Sequence, residues 1–351
     1  MDQIPVIDIG PFLSGTPAGR AGVSAAVREA AEKIGFFAID GHGVARTTMD
    51  VLYANAHQFF DLPLEEKQRV APPRPDYPRG YKAVGFEALA AGNPTSSAGN
   101  ESKTPPDLKE YYHFGRPDIP ADAYYTGEEG RRHFFANQWP AQPAGFADAA
   151  DAYYRAMESL SATLCRISAV ALDLPENFFD AKIDRHITAA RINYYPRQDD
   201  PPAEGQLRAG AHTDYGMLTI LSGESAPGLQ VLTRSGEWVG VATDKYRFVC
   251  NIGDLLMRWT NDRWVSNTHR VINPQRDATA LVSSPPHKMA HAGGRMSIAF
   301  FHHPNYDAKI ECIPGCAGDA PPMYEPVLSG EFRDYKYAVT RAQGVRDDKA
   351  A

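Results

Sequence analysis

Three residues of the chain have the types and spacing of a metal site. AHTDYGMLTI (211–220) has strand character and carries His212 and Asp214 two positions apart; His269 follows in WVSNTHRVINP (264–274). Side chains at i and i+2 of a strand share a face, so this spacing predicts that His212 and Asp214 aim at one point. A lone H-x-D pair is ordinarily a structural hydrogen bond, so the third donor matters. Two imidazoles and one carboxylate form a facial set that suits iron(II) and leaves one face of the octahedron open. Zinc accepts the same donors but offers no redox chemistry. In GGRMSIAFF (293–301), Arg295 and Ser297 repeat the i, i+2 spacing. A guanidinium fork beside a hydroxyl is suited to gripping a carboxylate.

The elements that must position these groups follow from the rest of the chain. With 351 residues, 43% of them hydrophobic and a net charge of −7, the sequence can bury a large core. It has no global basic field for nucleic acid or an anionic membrane, and an anionic ligand needs a local cation. Cys165 and Cys250 lie in apolar runs. Cys312 and Cys316 form a C-x3-C pair that no second pair completes into a zinc site. The opening MDQIPVIDIGPFLSG lacks the form of a leader peptide and no run reaches transmembrane length, so a cytoplasmic location is expected. No obligate protein partner is evident.

Ile4–Ile9 reads as a short strand ended by Gly10-Pro11. Val23, Val27, Ala30, Ala31 and Ile34 recur at helical spacing up to Gly35, and FFAID (36–40) returns to strand. A helix is predicted over Thr47–Phe60. The clearest helix spans 146–171, where Phe146, Ala150, Tyr153, Met157, Leu160, Leu164, Ile167 and Ala171 alternate in steps of four and three. That stripe fits a core helix packed on a sheet better than a coiled-coil seam. Residues 87–107 have no periodicity and read as a long loop of the kind used for lids or as a surface excursion. Beyond 180, short segments of strand character (ITAARINYY, HTDYGMLTIL, GLQVL, YRFVCNI, DLLMRW, THRVI, RMSIAFF) are separated by turns, as in an antiparallel sandwich or barrel.

The order H212-T-D214, H269-R-V, R295-M-S297 resembles the 2-oxoglutarate/Fe(II)-dependent dioxygenases, specifically the isopenicillin N synthase-like branch. IPVIDIGPF, GFFAIDGHGV (35–44), FFDLPLEEK (59–67), RGY (79–81), KEYYHFG (109–115), NQWP (137–140), RINYYP (191–196), NIGD (251–254) and YEPVLSGEF (324–332) extend the likeness over nearly the whole chain. The resemblance implies a mainly β fold with flanking helices (α+β), a distorted double-stranded β-helix or jelly-roll barrel supported by a long core helix. It implies one catalytic domain over 1–351: a helix-rich N-terminal region over 1–180 with the loop 87–107, a jelly-roll core over 181–310, and a C-terminal extension over 311–351.

Carried over by position, the resemblance makes His212, Asp214 and His269 the iron ligands, and Arg295 and Ser297 the holders of the 2-oxoglutarate C5 carboxylate. Asn193 and Tyr195 match positions that touch this co-substrate, although Tyr195 also fits a plain core aromatic. Phe301, Tyr215 and Tyr81 are expected to line the substrate pocket. No catalytic group is expected beyond the metal ligands. Fe(II), 2-oxoglutarate and O₂ are the implied cofactor and co-substrates, and the partner is a small organic molecule.

The implied reaction couples decarboxylation of 2-oxoglutarate to succinate and CO₂ with hydroxylation of that molecule, or with its desaturation, cyclisation or demethylation. Two alternatives stay open: an Fe(II) oxidase of the same fold that does without 2-oxoglutarate, and a barrel that binds a ligand without turnover. The sequence departs from the family in the long connection QRDATALVSSPPHKMAHAGG (275–294), expected to loop out, and in 87–107, where substrate choice is expected to be made.

Overall fold

The computed structural model describes residues 4–92, 105–198, 200–274 and 294–344, so 93–104 of the first loop and 275–293 of the long connection lie outside the described residues. Strands β1 (Val6–Asp8), β2 (Phe36–Asp40), β3 (Gly80–Lys82), β4 (Glu110–Gly115) and β5 (Ala189–Tyr195) precede the H-x-D motif. They are followed by β6 (Ala209–His212), β7 (Leu218–Gly223), β8 (Leu229–Leu232) and β9 (Trp238–Gly240). The last strands of the two sheets are β10 (Phe248–Ile252), β11 (His269–Val271) and β12 (Arg295–His302). An eight-stranded sheet runs β1-β2-β10-β7-β12-β5-β4-β3, and a four-stranded sheet runs β6-β11-β8-β9. All neighbours are antiparallel except β1 and β2. The two sheets form a jelly-roll pair with helices outside, and strand pairing among the described residues does not close them into a barrel.

Alternation along the central strands decides what each face does. Met296, Ile298 and Phe300 of β12, with Ala190, Ile192 and Tyr194 of β5, join the main core beneath the helices. Their odd-numbered neighbours face the second sheet. Every residue of the predicted stripe in helix Phe146–Ala171 is buried, and Tyr154 of that helix meets Phe300 edge-on at 5.2 Å. That helix also packs on helices Pro17–Lys33 and Arg46–Phe60, so a three-helix layer backs the large sheet. A smaller core with Phe36, Val231, Val249 and Val271 fills the space between the sheets.

Gly35 ends the first long helix as its sequence position predicts. It sits at φ +69°, and a Cβ there would collide with the Val265 carbonyl oxygen. Gly35→Ala combines a left-handed backbone with a clash against main chain, for an expected cost of about 3 kcal/mol. The readout is a lower urea midpoint at constant m; an unshifted midpoint would show that the turn can relax.

Two segments depart from the expected strands. DLLMRW is the helix Asp254–Trp259, which buries Leu255, Leu256 and Trp259 on one side. A six-residue apolar run carries too little periodicity to separate helix from strand. AHTDYGMLTI is not one strand either: β6 ends at His212 in the small sheet, β7 begins at Leu218 in the large one, and Asp214 lies in the crossing between them.

Candidate active site

The two histidines are brought together by pairing. β6 and β11 are antiparallel with His212 directly opposite His269, and the rings lie 4.3 Å apart between centroids. The Nδ1 atoms of His212 and His269 face the carbonyl oxygens of Gly210 (2.7 Å) and Asn267 (3.2 Å). Donation there fixes the tautomer and leaves each Nε2 with a lone pair for a metal. Asp214 reaches the same point because the chain turns after β6. Its carbonyl accepts from the Asp254 amide at 2.7 Å, and its Oδ2 lies 3.8 Å from His269 Nε2. One ligand atom from each of the three lies within 4.8 Å of the others.

The site's electrostatics suit a cation. Burial, then the neighbouring His269, pushes the His212 pKa down to about 3, which keeps its ring neutral. Burial alone would raise the Asp214 carboxyl. His269, His212 and hydrogen bonds from Thr219 and Asn251 outweigh it and leave the pKa below the usual value.

Sequence reasoning did not assign two supporting residues, Asn251 and Asp254, although both stand in NIGD. Asn251 Nδ2 donates to Asp214 Oδ2 at 2.8 Å. Asp254 accepts from Thr213 (3.2 Å) and Ser266 (2.6 Å) and pairs with Lys336 at 2.6 Å, which ties the β6 exit, the approach to β11 and the C-terminal helix to one carboxylate. Asn251→Ala is expected to weaken Fe(II) binding about 10- to 100-fold by freeing the Asp214 carboxylate to turn. Anaerobic metal titration measures this, and unchanged affinity would reduce Asn251 to a packing residue.

β12 and β5 bring the second predicted group together. Arg295 pairs with Tyr195 and Ser297 with Asn193 across the strands, so all four lie on the face that shares a cavity with His212, Asp214 and His269. The Arg295 guanidinium sits 5.2 Å over the Tyr195 ring. Arg295 is 1% exposed, yet Nε, Nη1 and Nη2 all lack a hydrogen-bond partner among the described residues. Buried Arg208 adds a second positive charge beside it. A buried fork of this kind calls for an anion, and a carboxylate has the planar shape to meet it.

A wider cavity of about 400 Å³ opens from His212 and Asp214 and is lined in part by Phe301 and Tyr215. Tyr215 meets Tyr337 of helix Ser329–Gly344 edge-on at 5.9 Å. Tyr81 is elsewhere: it is 2% exposed in the main core and donates to Glu110 at 2.5 Å, in a group completed by Lys67. Gly80 at φ +104° breaks the strand alternation between Arg79 and Tyr81, and Arg79 lines the cavity instead. Glu87 pairs with Lys109 and Arg191, at 3.0 Å each, while Asp107 holds Lys109 at 2.8 Å and accepts from the Gly210 amide at 3.0 Å. The two ends of the 87–107 segment are thereby anchored beside β6, the strand of His212.

Comparison with known proteins agrees with this geometry. Residues 4–142 match the model of the non-haem dioxygenase in morphine synthesis N-terminal region, and residues 187–304 match the 2OG-Fe(II) oxygenase superfamily. A 2-oxoglutarate-Fe(II) type oxidoreductase of Emericella nidulans is 34% identical over 99% of this chain and 93% of its own. A homoarginine-6-hydroxylase of Oryza sativa is 30% identical over 93% and 94%. A full-length Neurospora crassa protein, solved in complex with α-ketoglutarate, superimposes with a TM-score of 0.78 at 29% identity, covering 97% of this chain and 96% of that one.

The chain belongs to the 2-oxoglutarate/Fe(II)-dependent dioxygenases. It is an oxidoreductase with the double-stranded β-helix fold, with Fe(II) and 2-oxoglutarate as cofactors and O₂ as co-substrate. It couples the decarboxylation of 2-oxoglutarate to the oxidation of a small organic molecule. Among the described residues no helix is long and apolar enough to cross a membrane.

Proposed function

We propose that His212, Asp214 and His269 ligate the iron, that Arg295 and Ser297 hold the C5 carboxylate of 2-oxoglutarate beside Asn193 and Tyr195, and that the enzyme hydroxylates a small molecule seated against Phe301 and Tyr215. The observation that carries this reading is the buried, unpaired guanidinium of Arg295 in the cavity of the His/Asp/His cluster. An oxidase that does without 2-oxoglutarate leaves that charge with no counter-ion, so the reading that supplies one is preferred.

Bound iron and 2-oxoglutarate supply an oxidant able to attack a C–H bond, with succinate and CO₂ as the by-products. The chain's own residues do the rest. Three protein donors leave coordination positions open, and the Asn251 hydrogen bond fixes the direction of the Asp214 carboxylate. Arg295 and Ser297 orient the co-substrate from the large sheet while the histidines act from the small one. Phe301 lines both cavities, so it stands between co-substrate and substrate and keeps water from the reacting face. Placement of the target carbon selects hydroxylation over desaturation, cyclisation or demethylation.

The chain works as one catalytic unit in this proposal. The wider cavity draws Arg79 and Glu87 from 1–180, His212 and Asp214 from 181–310, and Arg333 and Tyr337 from 311–351. A cytoplasmic location belongs to the same reading, supported by four cysteines that are all free. The test is succinate release from 2-oxoglutarate when Fe(II)-loaded protein, prepared anaerobically, is exposed to air. Slow uncoupled release by wild type supports the proposal. Iron bound through Asp214 with no succinate would favour the oxidase.

A further inference from the structure

Arg79 is a cation that the iron and 2-oxoglutarate chemistry does not use. It is 5% exposed and lines the wider cavity, its Nε has no partner, and no ion pair to it is present among the described residues. Its guanidinium rests against Gly115, where a Cβ would overlap Nη2, Cζ and Nε. The missing side chain at 115 is thus the cradle in which the fork lies. Burial pushes the Arg79 pKa down to about 10, and it stays charged at neutral pH.

No carboxylate of the cavity wall is left to neutralise it. Asp76 is held by Arg74 at 2.8 Å, and Glu87 by Lys109 and Arg191. Asp334 is shared between Arg132 at 3.1 Å and Arg333 at 3.4 Å, and Asp214 belongs to the iron cluster. Arg333 compounds the imbalance. It is 6% exposed on the same cavity, close enough to depress the Arg79 pKa, and its own Nε is unpartnered. Its Nη2 is already committed to His133 Nδ1 and Asp334. Exposed Arg131 also lines the cavity and donates to the Thr126 carbonyl, but among the buried cations of the wall one uncompensated positive charge remains, with free N–H donors from two guanidinium groups, and a monoanion satisfies it.

We propose that the primary substrate is a small organic acid whose carboxylate docks on Arg79, with Arg333 Nε as a second donor, so that the rest of the molecule extends towards Phe301 and the His212/Asp214 side of the cavity. This rests on the oxygenase reading above and adds the substrate's chemical class to it. The anchor is distinct from the co-substrate's. Arg79 precedes β3, three strands from the β12 strand of Arg295 in the sheet order, about 14 Å at the usual interstrand spacing. The cavity of about 400 Å³ also presents Phe135, Phe301, Tyr215 and Tyr337, which give an apolar body of the acid something to pack on beside the anchor.

The test is anaerobic calorimetry on protein loaded with Fe(II) and saturating 2-oxoglutarate, titrated with matched acid and amide pairs: benzoate and benzamide, phenylacetate and phenylacetamide, hexanoate and hexanamide. Wild type is expected to bind at least one acid at millimolar concentration and to bind its amide at least about tenfold more weakly. Arg79→Gln is expected to lose about 10- to 100-fold in affinity for that acid. Gly115→Ala keeps the charge but fills the cradle with a methyl group, and should lose a comparable factor. Arg79→Lys should recover part of the affinity.

A melting temperature for Arg79→Gln at or above that of wild type is expected, because an unpaired buried charge is removed, and it excludes misfolding as the cause. Equal affinity for acid and amide, unchanged acid binding in Arg79→Gln, or no acid bound by wild type overturns the proposal. A 2-oxoglutarate titration of wild type in the same apparatus reports on the oxygenase reading independently.

Discussion

Asp214→Ala is expected to lose Fe(II) binding and to bring succinate release to about a thousandth of the wild-type rate or less, since the variant lacks the carboxylate proposed as a metal ligand and such a ligand is worth several kcal/mol. The geometry explains why so much depends on one carboxylate. His212 and His269 are held by the β6–β11 pairing, so they remain in place in the variant, and an imidazole that binds a metal brings it no charge. Asp214 is the only acid in the cluster and is oriented by Asn251 and by its main-chain bond to Asp254.

Folding is not expected to suffer in Asp214→Ala, because the substitution removes a buried carboxylate from a pair of sheets whose cores it does not join. Asp214→Asn separates charge from shape. Its amide oxygen can still accept from Asn251, so it should bind iron weakly and turn over slowly. Iron affinity in Asp214→Ala equal to that of wild type would falsify the ligand assignment, whatever happened to activity.

What was legible in the sequence is what period-two alternation controls. Arg295, Ser297, Asn193 and Tyr195 sit in strands flanked on both sides by neighbours, where alternation holds without interruption, and they meet as cross-strand pairs. His212 and Asp214 converge on one point, but not by sharing a strand face. The chain leaves the small sheet at His212, and it is the crossing to the large sheet that carries the carboxylate to the imidazoles. Tyr81 failed where a single glycine, Gly80, takes a positive φ and cancels the parity argument. Nothing local marks Asn251 or Asp254 as supports of the site, since both act on residues distant in sequence. The isolation of Arg79 is still less local: it depends on where every carboxylate of the cavity wall has found its partner.

Arg295→Met should separate stability from function in opposite directions. The guanidinium is buried with three unpartnered nitrogens and a second cation, Arg208, nearby. In protein without co-substrate it is an uncompensated charge, and a hydrophobic side chain of similar volume is expected to leave the fold as stable as wild type or up to about 3 kcal/mol more stable. Binding 2-oxoglutarate reverses the order. Wild type gains stability by mass action as its fork is satisfied, while the variant has only Ser297, Asn193 and Tyr195 to offer and is expected to lose about 100-fold or more in affinity.

Anaerobic thermal melts of Fe(II)-loaded protein across a 2-oxoglutarate series should therefore show a rising midpoint for wild type and a flat one for Arg295→Met. Arg295→Lys keeps the charge without the planar fork and belongs between them. A midpoint that climbs equally in Arg295→Met and wild type would mean that the co-substrate is held elsewhere. That outcome would return the unpaired guanidinium to the question it first posed: which anion this sheet was built to hold.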